Sequence, residues 1–251
     1  MINLPDVSFI IDLAAIYAVY LIVNLSLNLE FGYTGIPNFG KVVAVAGGAF
    51  LVGYLPGRLA AMLIGLGNMD YIARNNEIVT AVNKAFLSNP LPLIGIFVLT
   101  LILAALVGAL LGFISSYPAI RLREDYLAMV LLAMGEAIKV IGYNYRPLIG
   151  GTLGVQVPDV LHWAGGLRYP LFTVLMFIVA LVVLFYMERT IRSPLGRVLR
   201  AIRDNEIAAA SLGKDVVMVR MKVIVISAMI AAIGGALYAF YTTGVIATTY
   251  D

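Results

Sequence analysis

The sequence predicts an all-α integral membrane protein, a polytopic helical bundle forming one transmembrane domain over residues 1–251. Three observations carry that expectation. Of the 251 residues, 62% are hydrophobic and 12% are charged, whereas a soluble globular domain has about a quarter of its residues charged. The mean hydropathy is +0.98. Several apolar runs reach the roughly 20 residues that a helix needs to cross a bilayer core about 30 Å thick.

Five runs fit that length: Ile10–Leu29, Leu91–Ile114, Tyr126–Tyr143, Leu171–Met187 and Val223–Thr243. A sixth, Val42–Pro56, is short and holds Gly47, Gly48 and Gly53. It is expected either to span or to form half of a broken or re-entrant helix. The opening "MINLPDVSFI" has no basic residue, and no clear small-x-small cleavage site follows, so the first run is expected to be retained.

Short-loop charge sets the orientation. Residues 188–222 hold 8 of the 17 Lys and Arg against 4 acids, so this loop is placed in the cytoplasm. Counting back puts Arg121 and Arg123 inside and loops 57–90 and 144–170 outside. Six spans place the N-terminus outside; a re-entrant Val42–Pro56 would move it inside. Loop 57–90 carries a rough helical stripe, Ile72, Ile78, Val79, Val82 and Phe86, suited to a helix on the outer membrane surface. Loop 144–170 is glycine-rich and carries Trp163 beside His162, as at a membrane–water boundary.

Composition excludes several classes. With no cysteine there is no disulfide framework, thiolate nucleophile or Cys-based metal site. One histidine cannot make a His-rich metal site. A net charge of +3 without a water-soluble basic face gives no nucleic-acid footprint. No H-E-x-x-H and no paired intramembrane aspartates occur, and Ser227 lies in an apolar run with no histidine near it in sequence. The chain is therefore not expected to be an enzyme.

"GIPNFGKV", Gly35 to Val42, matches most of G-x-x-x-x-G-K-[ST] but ends on Val42, which offers no hydroxyl to Mg²⁺. It also follows a membrane helix rather than a buried strand. No nucleotide or other cofactor is expected on this chain; if ATP drives it, ATP and Mg²⁺ belong to a partner. The same stretch, with Gly32, Gly35, Pro37 and Gly40, suits a break in a membrane helix, where Thr34 and Asn38 would offer polar groups to a solute. An ordinary surface turn is the other reading. Glu136 and Lys139 lie three apart on one helix face inside a span. Each charge at mid-bilayer costs about 2.5–3.5 kcal/mol on insertion scales. They suit either a structural pair, with Lys139 snorkelling outward, or a transport path holding Glu136. "GALLG", Gly108 to Gly112, is a close-approach spacing expected to pack helices.

"SPLGRVLRAIRDNEIAAASLG", Ser193 to Gly213, is the most distinctive stretch. Pro194 suits a first helical turn behind Ser193 as N-cap. At about 100° per residue Leu195, Val198, Leu199 and Ile202 share one sector, opposite Arg197, Arg200 and Arg203. A polar break, Asp204, Asn205 and Glu206, precedes a small-residue helix that Gly213 ends. A lipid-surface helix explains the arginines but not the break or the alanine face, which suit docking into a groove of another protein.

These residues carry a resemblance. "LNLEFGYTGIPNFGK", "YPAIRLREDYLAMVLLAMGEAIKVI", "GGTLGV" and "SPLGRVLRAIRDNEIAAASLGKDVVMVRMKVIVISAMIAAIGGALYAF" resemble, in order, signatures of the permease subunits of branched-chain amino acid (Liv-type) ABC importers. The resemblance implies a multi-pass permease in the plasma membrane for branched-chain amino acids or related small polar solutes. It implies pairing with a second permease subunit, two cytoplasmic ATPases that bind the nucleotide, and an extracytoplasmic binding protein. Loop 188–222 would be the coupling loop, with Arg197, Arg200, Arg203, Asp204, Asn205, Glu206 and Gly213 at the ATPase. Lys41 stands where the family often has histidine. Family members usually continue past the position of Asp251 with further apolar spans, so the chain is expected to be either truncated or a short variant. The alternative is a channel or scaffold without ATP coupling.

Overall fold

A computed structural model describes residues 7–122 and 124–250, with the side chains of 124 and 125 excepted. Arg123, expected on the inner side, lies outside the described residues.

Helix α1, Val7–Leu27, runs into a π-helical turn, Asn28–Gly32. After a turn comes α2, Lys41–Leu63. The short α3, Asn75–Ala85, precedes α4, Leu91–Arg121, α5, Glu124–Asn144, and the single turn α6, Arg146–Ile149. Helix α7 spans Arg168–Arg192, α8 Pro194–Asp204, α9 Glu206–Ser211 and α10 Val216–Thr242. Among the described residues six helices are long and apolar enough to cross a membrane, those of α1, α2, α4, α5, α7 and α10.

The glycine-rich run expected either to span or to form half of a broken or re-entrant helix is one continuous helix. Helix α2 is 23 residues long and continues past Pro56, about 35 Å at 1.5 Å per residue. Its glycines serve contact rather than bending. A Cβ on Gly48 would stand 2.0 Å from the Ala232 carbonyl oxygen, and one on Gly235 would stand 2.1 Å from that of Val45. The two backbones therefore touch reciprocally, which only small residues permit. Gly108 and Gly112 of α4 meet α10 at Ala232 and Ala228, so the G-x-x-x-G spacing packs helices as expected. Helix α10 is the axis of the bundle, flanked by α4, α2 and α1, while α7 packs on α1. In its apolar window 72% of residues are buried, against 22–33% for α1, α4, α5 and α7.

The basic loop lies at one end of the spans, and α3 lies at the opposite end, buried along Ile78, Val79 and Val82. Ile72 and Phe86, expected in that stripe, flank the helix and pack on the same core. The outer cap is tightly tied. Strand β1, Val155–Gln156, pairs antiparallel with β2, Gly244–Val245. Asn75 exchanges two hydrogen bonds with the Gln156 backbone, and Arg168 grips Asp159 at 2.7 Å. Gly150, Gly151 and Gly154, with φ of 78°, 67° and 71°, hold a left-handed course closed to most other residues.

Candidate functional site

The basic loop folds as a hairpin of α8 and α9 under the bundle. Pro194 opens α8 as expected. Ser193 stands at the cap position, but its hydroxyl donates to the Thr190 carbonyl at 2.6 Å instead of accepting from α8. The expected cap is thus absent, because the tight α7–α8 corner claims that hydroxyl. A Cβ on Gly196 would lie 2.0 Å from the Ile191 carbonyl oxygen, so α8 leaves α7 along its own backbone. Leu199 and Ile202 are buried, Val198 is half-buried and Leu195 is exposed; the apolar sector is narrower than the periodicity suggests.

The three arginines part company. Arg197 and Arg200 are exposed, and Arg200 Nε donates to the Gly196 carbonyl at 3.3 Å. Arg203 instead turns back to the bundle: Nη1 donates to the Gly32 carbonyl at 2.9 Å, and Nε and Nη2 donate to Asp204 Oδ1. At Asn205 the chain is extended, and its side-chain oxygen accepts from Ala208 N at 2.9 Å, capping α9. Glu206 takes a forked pair of bonds from Arg220 of α10, at 2.9 and 3.0 Å. Gly213 ends the hairpin with φ 76°. Ala209 is buried against Ile202 and Val216, leaving Ile207 and Leu212, each 80% exposed, as apolar knobs. A groove of about 660 Å³ runs beside them, walled by Ile207, Ala210, Ser211, Lys214 and Val217. The hairpin therefore offers guanidinium groups, apolar knobs and a groove on one rigid, capped unit.

Above it lies a buried polar knot. The Lys41 ammonium is 3.0 Å from Glu30 Oε1, and the Glu30 side chain has no exposure. Lys41 also donates to Ser227 Oγ, which donates to the Ser26 carbonyl. Glu30 Oε2 has no donor among the described residues. Sequence reasoning missed this knot. Glu30 falls one residue past the first run, and Lys41 one before the second, so both read as edge residues. Only the packing of the α1–α2 corner against the middle of α10 brings them to Ser227.

Thr34 is buried, and its hydroxyl donates to the Glu30 carbonyl at 2.5 Å. Asn38 is half-buried and accepts from Gly40 N at 2.9 Å. Glu136 is exposed on α5, its carboxylate 3.6 Å from Lys139. Gly40 and Val42 pack on α5 at Leu131 and Gly135. The corner and α5 are thus neighbours, but the bonds of Thr34 and Asn38 stay within the corner and Glu136 pairs along its own helix. "GIPNFGKV" forms this corner between two spans, with Lys41 committed to Glu30.

The family described as "Branched-chain amino acid transport system / permease component" matches residues 9–251. A Methanocaldococcus jannaschii protein named probable branched-chain amino acid transport permease protein LivM is 40% identical over 235 residues, which make 93% of this chain and 68% of that protein. The high-affinity branched-chain amino acid transport system permease protein LivM of Salmonella typhimurium is 29% identical over 254 residues, and that of Escherichia coli is 28% identical. The alignment takes in 91% of this chain but only 52% of each of these two, so the chain spans about half their length. No solved structure matches. By the extent of the family match and by its archaeal relative, this chain, with its six apolar helices and basic hairpin, belongs to the branched-chain amino acid transport permease family.

Proposed function

We propose that the chain is the membrane-spanning permease component of an ATP-driven importer for branched-chain amino acids or related small polar solutes. One observation carries the reading: an arginine-bearing hairpin, capped and pinned to the bundle, stands exposed on the side where the basic charge lies. Such a unit suits a partner that pushes. Two cytoplasmic ATPases would bind ATP and Mg²⁺, a second permease subunit would complete the conduit, and an extracytoplasmic binding protein would deliver the solute. A ligand shifts a conformational equilibrium only through its differential affinity for the two states; here that ligand is ATP on the ATPases.

Within the hairpin, Arg197, Arg200, Ile207 and Leu212 are the contact groups. Arg203, Asp204, Asn205, Glu206 and Gly213 hold its shape. On the solute side Glu136 is the exposed charge suited to line a path between subunits, with Thr34 and Asn38 shaping the adjacent corner. The test is uptake and ATP hydrolysis in vesicles holding the full complex. The pair Arg197→Ala and Arg200→Ala is expected to cut uptake at least about tenfold, equal to about 1.4 kcal/mol of docking free energy, while the spans stay folded. Unchanged coupled uptake overturns the docking role. Uptake independent of ATP favours the channel reading instead.

A further inference from the structure

Between α1, α2 and α10 lies a cavity of about 320 Å³. Its walls include Ile16, Val19 and Val45, its outer end Tyr238 and Tyr250, and Lys41 is the one charged residue among the described residues that line it. The volume falls at the lower end of small-molecule sites. Lys41 sits level with Ser227, and Tyr238 lies 11 residues further along α10, about 16 Å at helical rise. The space is thus a slot with a charge at its inner end and aromatic residues at its outer end.

One further observation points to a ligand. Tyr250 is 6% exposed, and its hydroxyl has no hydrogen-bond partner among the described residues. A buried hydroxyl without a partner is costly to keep. At the inner end Lys41 is backed by Glu30, whose Oε1 stands 3.0 Å from its ammonium and which does not itself line the cavity.

We propose that this slot is a binding site, inside a single subunit, for a zwitterionic α-amino acid with a branched aliphatic side chain. The ligand carboxylate sits on the Lys41 ammonium, the ligand ammonium lies in the field of Glu30, and the side chain lies among Ile16, Val19 and Val45. Lys41 and Glu30 together are neutral, so a net-neutral zwitterion adds no net charge to the apolar interior. A fatty-acid anion would set a second carboxylate beside Glu30 with nothing to offset it. The inference rests on the permease reading for its choice of solute.

The test uses a diazirine analogue of leucine as photoprobe on the intact chain in lipid nanodiscs, with peptide mapping of the labelled site. Label is expected in residues 16–23 and 41–45, displaced by leucine and not by palmitate. Two variants are expected to lower it at least tenfold: Ile16→Trp, which fills the slot from a partly exposed position, and the double change Glu30→Gln with Lys41→Met. The double change leaves no unpaired buried charge, so the chain still folds. Label confined to α5 near Glu136, label displaced by palmitate, or label unmoved by both variants overturns the proposal. Leucine uptake by the full complex is measured in parallel. Uptake without label in the slot discards the slot and leaves the permease reading. Label in the slot without any ATP-dependent uptake discards the permease reading and leaves the slot.

Discussion

Glu30 and Lys41 show how a charge is carried at the inner end of an apolar bundle. Each is buried, and each is tolerable only with the other. Lys41→Met alone leaves Glu30 enclosed without a counter-charge, and is expected to destabilise by about 3–5 kcal/mol, whereas Glu30→Gln with Lys41→Met falls within about 1 kcal/mol of the parent. Thermal unfolding in detergent checks this, and equal losses in both would deny the pair its structural role. Tyr71, on the outer side, gives a prediction in pH. Its hydroxyl is buried over Gly57 and donates to the Gln156 carbonyl, and burial pushes its pKa from 10.0 up to about 12. A raised pKa means that the neutral form is favoured in the fold. Its stabilising share is whole below pH 10 and is lost as pH rises toward 12, about 3 kcal/mol in all. Tyr71→Phe is expected to melt with a shallower fall between pH 10 and 12 than the parent; identical slopes would show that Tyr71 does not titrate with unfolding. Residue types in the sequence announced the exposed Arg197 and Arg200. They did not announce that Arg203 turns inward to Gly32, because one helical face gives no sign of which arginine has a carbonyl in reach.

At the scale of elements, periodicity found the helices and left one of them open. Helix α2, short and rich in glycine, was open to spanning or to breaking, since glycine weakens a helix in water. Against α10 the same glycines are what lets two backbones meet, and that partner is invisible in a local window. The expected consequence is positional. Gly48→Ala, whose Cβ would stand 2.0 Å from a backbone oxygen, is expected to cost about 3 kcal/mol, because backbone cannot swing aside. Gly95→Ala in α4, with nothing within 4 Å of its Cβ, is expected to stay within about 0.5 kcal/mol. A similar cost at both positions would mean that helix propensity, not contact with α10, governs these glycines. The hairpin was legible for the opposite reason. Its proline start, polar break and glycine stop are local signals, and Pro194, Asn205 and Gly213 stand where those signals put them. Ser193 did not follow, because a hydroxyl has two possible partners and the α7–α8 corner supplies the nearer one.

For the whole molecule, the arrangement fixes which parts can meet which compartment. An odd number of crossings after α1 would reverse the N-terminus relative to the hairpin, so the continuous α2 decides the orientation of the first helix. The absence of cysteine from the sequence makes this testable without removing any native thiol. Single cysteines placed at Ser8, Thr80 and Ser211, all exposed, report the two ends of the bundle. With the basic hairpin placed in the cytoplasm by its charge, a membrane-impermeant maleimide added to right-side-out vesicles is expected to label Ser8→Cys and Thr80→Cys and to spare Ser211→Cys. Inverted vesicles should give the reverse. Ser8 labelled from the same side as Ser211 would mean that α2 does not cross, and the Gly48–Ala232 contact would then have to be remade elsewhere. Ser211 labelled from outside would remove the hairpin from any cytoplasmic ATPase, and the reading built on Arg197 and Arg200 would go with it.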